Sequence, residues 1–143
     1  MALSQRNYDP AQMYGDAPRL VVSYVMNANA SLADQCFFIA DRDLEVISIS
    51  EVHSTAGTDV GAVNVQVTKD TSTNAPGAGT DLLTNNSSAG FNLKGTANTV
   101  QTGSLTSTIA SLRLTSGDRL SVDFAGTLTS LAGVVVTVIL KEL

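Results

Sequence analysis

Tryptophan is absent from this chain, cysteine and histidine occur once each, and only 5% of the 143 residues are aromatic. Each shortage removes a class of function. A single cysteine, Cys36, excludes an internal disulfide. Within Cys36-Phe37-Phe38-Ile39 it reads as a small buried hydrophobe, with no basic neighbour to stabilise a thiolate. One histidine and one cysteine far apart in sequence do not make a metal-binding cluster. Nucleophilic catalysis needs a base beside the nucleophile, and the lone His53 precedes the turn Ser54-Thr55-Ala56-Gly57 with no G-x-S-x-G elbow anywhere. It reads as a solvent-exposed residue at the end of a strand. The scarcity of aromatic rings also counts against a stacking platform for sugars.

Basic charge is equally sparse. Lys69, Lys94 and Arg113 stand singly, and the formal net charge is −5. Binding to nucleic acid exchanges counterions for a basic stripe, and none exists, so no direct contact with nucleic acid is expected. No apolar run reaches the roughly 20 residues of a membrane-spanning helix. The opening MALSQRNYDPAQMYGD lacks the apolar core of a secretory signal. A soluble chain made in a cytoplasm-like compartment is the expectation. Asp41, Asp43 and Glu45 lie close together but lack the glycine of an EF-type loop. Gly77-Ala78-Gly79-Thr80 lacks the Lys-Ser/Thr that completes a phosphate cradle, and reads as a flexible loop. Nothing singles out a pair of carboxylates for hydrolysis. No catalytic, cofactor-binding or metal-binding residue is therefore assigned, and neither an enzyme nor a small-molecule substrate is expected.

What the chain does have is the composition of a single globular β domain. Apolar residues make up 43%, whereas charged residues make up 15%, below the roughly 25% usual for soluble domains. Strand patterns recur at residues 19–26, 35–40, 44–52, 61–69, 91–93, 99–103, 109–114, 119–124 and 132–141. In the fourth, Val63, Val65 and Val67 point in while Asn64, Gln66 and Thr68 point out. Leu120, Val122 and Phe124 alternate with Arg119, Ser121 and Asp123 in the period-2 signature of a half-buried strand. Residues 134–140 are apolar at nearly every position, so both faces should be covered. Ile47 and Ile49 are expected on one face of their strand, with Leu44, Val46 and Val52 on the other. Short strands at regular spacing, with no stretch for a crossover helix, predict a sandwich or barrel. Residues 71–80 are a loop, and Leu82-Leu83 opens either a short helix or a capped turn.

Two features concern the surface. Residues 1–18 contain Pro10, Pro18, Tyr8 and Tyr14 without any periodicity, reading as an extended arm in contact with a neighbour or as a disordered tail. No charge occurs between Lys94 and Arg113, nor between Asp123 and Lys141. Free sheet edges usually carry charge or proline, so these stretches are either central strands or surface occupied by another subunit.

The segment EVHSTAGTDVGAVNVQVTKDTSTNAPGAGTDLLT, followed by FNLKGTANTVQTGSLTST and LRLTSGDRLSVDFAGTLTSLAGVVVTVILK, resembles the jelly-roll decoration, or cement, proteins of tailed-bacteriophage capsids. The likeness spans about residues 36–143. It rests most on the APGAGTDLLT loop and the L-x-L-x-x-GD-R-L-x-x-x-F-x-G-T-L run. It implies an all-β jelly-roll β-sandwich of about eight strands over residues 19–143, preceded by an extended N-terminal arm over residues 1–18. It also implies a homotrimer on the outer capsid surface of a virion, gripping the phage major capsid protein at quasi-threefold positions. The candidate partner-binding residues are Arg6, Tyr8, Tyr14 and Arg19. Trimer formation would bury Val135 and Ile139, with Ile47 and Ile49. The alternative is a TNF/C1q-like or carbohydrate-binding jelly-roll module on a phage tail or host-attachment structure.

Overall fold

A computed structural model describes residues 18–26 and 34–143. The alternation read from the sequence builds two antiparallel sheets facing each other across one core. Six strands have five to nine residues: β1 Arg19–Val25, β2 Gln35–Ile39, β3 Leu44–Val52, β4 Asn64–Asp70, β9 Arg119–Ala125 and β10 Val135–Glu142. Four more have two residues each: β5 Thr80–Asp81, β6 Phe91–Asn92, β7 Gln101–Thr102 and β8 Arg113–Leu114. The first sheet runs β1-β10-β3, with β7 and β8 both pairing with β3. The second runs β2-β9-β4, with β5 and β6 both pairing with β4. The fold is an all-β sandwich. The expected strand over residues 109–114 splits into one helical turn, Ile109–Leu112, and β8.

The inner faces supply the core. Val136, Val138 and Leu140 of β10 meet Val65 and Val67 of β4 and Leu120 and Val122 of β9, all fully buried. Tyr24 sets its ring edge-on to Phe37 and Phe124, at centroid distances of 6.2 and 5.9 Å. Such edge-to-face pairs add to the burial of the rings themselves. Leu82, Leu83, Leu93 and Leu131 close the ends of the sandwich from its loops.

The pattern in β3 departs from strict alternation. Ile139 of β10 pairs with Ser48, but the next residue, Leu140, pairs with Val46, leaving Ile47 as the extra residue of a β-bulge. A bulge shifts the side-chain phase by one position. Leu44 and Val46 therefore face the core before it, and Ile49 does so after it, with 0% of its surface exposed. Ile47 and Val52 fall on the outer side, half-buried. The expectation that Ile47 and Ile49 share a face is thus corrected, because period 2 holds only while the pairing register does. Likewise, residues 134–140 present one face to the core, while Val135, Thr137 and Ile139 remain half-exposed in the single chain.

The bulge has a measurable consequence. Ile49→Ala should destabilise the fold by about 2–5 kcal/mol, as for other buried large-to-small changes, whereas Ile47→Ala should cost under about 1 kcal/mol. Urea denaturation of the two variants checks this; equal losses would contradict the shifted phase.

Candidate functional site

Cross-strand registers order the outer face of the first sheet into rows. Val25, Val135 and Val52 form one row, and Ser23, Thr137, Ser50 and Thr102 the next. Val21, Ile139 and Ser48 follow, beside the bulged Ile47, and then Arg19, Lys141, Glu45 and Arg113. Two apolar rows thus flank a hydroxyl row in which Ser23 and Thr137 bond at 3.1 Å. Val21 is 60% exposed and Val25 56%. Charge is confined to the last row, where Glu45 accepts from Arg113 at 2.9 Å and lies 3.8 Å from Lys141. The hydrogen bond from Arg113, with the positive charge of Lys141, holds the Glu45 carboxyl below its ordinary range. Arg19 opens β1 at the edge of this face and is exposed. Arg6, Tyr8 and Tyr14 lie outside the described residues.

Behind the sandwich, the outward side of β4 is polar but sealed. Asn64, Gln66, Thr68 and Asp70 are each no more than 5% exposed, because residues 71–90 fold back over them. Asp70 takes four hydrogen bonds: from the hydroxyls of Thr68 (3.0 Å) and Ser121 (2.5 Å), and from the backbone N–H groups of Gly77 (3.2 Å) and Gly79 (2.9 Å). The glycine loop therefore does cradle an anion, and the anion is the chain's own Asp70. A β-carbon on Gly79 would fall 2.0 Å from the carbonyl oxygen of Lys69. This loop is clamped, in contrast to the flexible loop its composition suggests. Gln66 donates to the carbonyls of Leu83 (3.0 Å) and Ser88 (2.9 Å) and accepts from the N–H of Leu83. It thereby bridges the gap between β5 and β6 on the same edge of β4.

The segment over Gln66 turns left-handed at Asn86 (φ 55°), Ser87 (φ 54°) and Ser88 (φ 68°). For residues other than glycine this region costs about 1–2 kcal/mol each and ordinarily occurs singly. The turn is held by Asn85, which accepts from the N–H of Ser104 at 2.7 Å, and by the bond from Gln66 to Ser88. Beside it lies an open depression of about 340 Å³ lined by Asn64, Asn86, Asn92, Lys94 and residues 60–62.

Two further titratable groups are buried side by side at the end of β3. His53 is fully buried, correcting its reading as a solvent-exposed strand end. Its Nε2–H donates to the carbonyl of Gly95 (3.1 Å), and its Nδ1 meets Glu51 Oε1 at 2.9 Å. Gln101 donates to the other Glu51 oxygen at 2.7 Å and to the carbonyl of Asn92 at 2.9 Å. Burial pushes the Glu51 carboxyl up, opposed by its bonds to His53 and Gln101. This network ties β3 to β7 and to the loop after β6. The bulge in β3 explains it, because the shifted phase turns Glu51 inward along with Ile49.

The remaining sequence candidates are dispersed. Asp41 pairs with Arg42 at 2.9 Å, and Glu45 with Arg113, so the three early acids do not converge. Cys36 is half-buried, with its thiol 3.6 Å from the carbonyl of Phe38. Among the described residues no three His, Cys, Asp or Glu side chains are grouped to hold a metal ion. No helix among them is long and apolar enough to cross a membrane. No protein-family model, curated protein or solved structure matches this chain.

Two stability measurements follow from the buried acids. Glu51→Ala should cost about 3–5 kcal/mol by stranding His53 and Gln101, whereas Glu51→Gln, which keeps shape and a bonding partner, should cost less than about 2 kcal/mol. Urea denaturation distinguishes them; equal costs would show that the polar bonds do not matter. Asp123 has its carboxyl raised by burial first, then by the charges of Asp34, Asp81 and Asp70. A raised carboxyl binds its proton more tightly when folded, so stability is lost as pH climbs from the unfolded value through the folded one. Asp123→Asn should therefore raise Tm by about 1–3 °C at pH 7, with the gain disappearing as the pH falls through the carboxylate range. Calorimetry showing no gain at pH 7 would remove this repulsion from the account.

Proposed function

We propose that this chain is a structural virion protein that decorates a bacteriophage capsid, binding the major capsid protein lattice as a homotrimer across seams between capsomers. The observation that carries the reading is the outer face of the first sheet. Its two valine- and isoleucine-bearing rows are uncharged, regular and partly open to water in the single chain. Interface centres are depleted of charge in the same way, whereas a solvated sheet face carries lysine and glutamate. In the proposed assembly the rows of Val21, Val25, Val135 and Ile139 meet neighbouring subunits. The charged row of Arg19, Lys141, Glu45 and Arg113 lies at the rim.

The strand order supports the jelly-roll form of the sandwich. The two sheets run β1-β10-β3-β7 and β2-β9-β4-β5, so the first strand lies beside the last and the second beside the last but one, an order that two intertwined Greek keys produce. Residues 1–18 lead directly into β1, an edge strand, so an arm in the expected position would start beside the same face. The resemblance of residues 36–143 to capsid decoration proteins supplies the choice of partner.

The mechanism is mechanical. A capsid under internal pressure fails where neighbouring capsomers separate. A trimer spanning such a seam adds contacts that must break together, and linked contacts gain through effective concentration without any one of them being tight. No chemistry at a reactive group is called for.

Purified protein mixed with undecorated, expanded capsids should bind saturably, and sedimentation equilibrium should show a trimer at micromolar concentration. Val21→Asp and Val25→Asp place charges at exposed positions that the fold tolerates, and each should weaken assembly or capsid binding by at least about tenfold. Absence of saturable binding to expanded particles would overturn the capsid role, and a monomer at that concentration would overturn preassembly.

A further inference from the structure

The depression beside the left-handed turn has the groups of a binding site and is used by nothing described above. Asn64 is 5% exposed. Its Oδ1 accepts a bond from Asn86 at 3.0 Å, and its Nδ2 has no acceptor among the described residues. Yet among the described residues no fully buried side-chain nitrogen or oxygen lacks a partner. The amide nitrogen of Asn64 must therefore reach solvent, and the depression it lines is the opening. A buried amide that withholds both N–H groups from the protein is ready to donate to something that enters.

Its neighbours share this character. The Lys94 ammonium is anchored by the carbonyls of Gly61 at 3.0 Å and Val60 at 3.5 Å. Two of its three N–H groups are engaged, and no carboxylate among the described residues pairs with its charge. Asn92 uses its Oδ1 to accept from the N–H of Lys94 at 2.9 Å, which orients that amide and leaves its own NH₂ without an acceptor among the described residues. Asn86 spends one N–H on Asn64 and is fixed in place by the left-handed backbone. The lining also includes Val60, fully exposed, and Ala62.

We infer that this depression binds an acidic saccharide unit, with a sugar carboxylate on Lys94 and ring hydroxyls on the amides of Asn64, Asn86 and Asn92. The chemistry selects the ligand class in steps. Donors outnumber acceptors and carry one positive charge, so the ligand is rich in acceptors and bears a single negative charge. A phosphate would be better held by several converging backbone N–H groups or more than one cation, and the paired N–H groups of Gly77 and Gly79 are already filled by Asp70. Amides pair with hydroxyls both as donor and acceptor. The apolar rim offers contact to the C–H face of a ring. The volume of about 340 Å³ lies at the small end of the roughly 300–1,000 Å³ range of ligand sites, and suits one sugar residue. No aromatic ring lines it, so affinity rests on polar bonds and is weak for an isolated unit. The inference does not depend on capsid decoration.

The test is a two-dimensional NMR titration of the full chain with methyl glucuronoside, following the side-chain amide resonances. Those of Asn64 and Asn92 should shift saturably, with a Kd of about 1–10 mM. Methyl glucoside, neutral but otherwise alike, should bind about tenfold more weakly, as should Lys94→Met protein to the glucuronoside, since a charge-assisted bond is lost in each case. Should Lys94→Met disturb the loop at Gly61, Asn64→Asp provides a second variant of the same shape that repels the anion and should abolish the shifts. Failure of the wild-type resonances to move by about 50 mM, above the expected Kd, would overturn the site. Equal binding of the neutral glycoside would overturn the acidic character, and acetate matching the glucuronoside would overturn the saccharide. None of these three results touches the capsid proposal, which is read from particle binding.

Discussion

Asn64, Gln66, Thr68 and Asp70 stand in a row on the side of β4 that faces away from the apolar core, and all four are buried. A buried polar group without a partner costs about as much as several good packing contacts gain, so this row dictates what covers it. Asp70 requires donors, and the glycines at 77 and 79 let the backbone come close enough to provide them. Gln66 requires both a donor and acceptors, and residues 82–90 arch to supply Leu83 and Ser88. The left-handed turn and the depression beside Asn64 are products of that arch. A loop that composition describes as loose is thereby among the more constrained parts of the chain.

The two sheets divide the work. The second is covered outside by its own connection between β4 and β6, which leaves polar surface and the depression beside Asn64. The outer face of the first is partly open to water among the described residues, and registers rather than loops determine what it shows: apolar, hydroxyl, apolar and charged rows in succession. Its central strand, β10, lies between β1 and β3 with Val136, Val138 and Leu140 in the core. Charge on this face is gathered in its last row, and the three rows before it carry only apolar and hydroxyl side chains.

The strands were legible in the sequence wherever period 2 was unbroken. The alternation of Leu120, Val122 and Phe124 placed β9 correctly, and residues 44–52 emerged as β3 with unchanged bounds. Phase was lost at Ile47, since a bulge is set by pairing with a second strand and leaves no mark on local composition. That one residue accounts for three misplacements at once: Ile49, Val52 and, through Glu51, the burial of His53. The depression was illegible for another reason. Its amides come from β4, the left-handed turn and the segment at Asn92, and no spacing in the chain announces that they meet. Only Asn86-Ser87-Ser88, residues tolerant of turns, hinted at unusual backbone there.

The sequence alone determined that two half-buried sheets would form, because the periodicity of apolar residues is a local property and burial follows from it. It also determined that charged residues are few and that histidine and cysteine occur once each. Tertiary structure alone decided which polar residues would be buried, which loop would be clamped, and which outward residues would line up across strands. Those outcomes depend on register and on the satisfaction of hydrogen bonds between segments far apart in the chain, and neither is encoded in any single stretch of it.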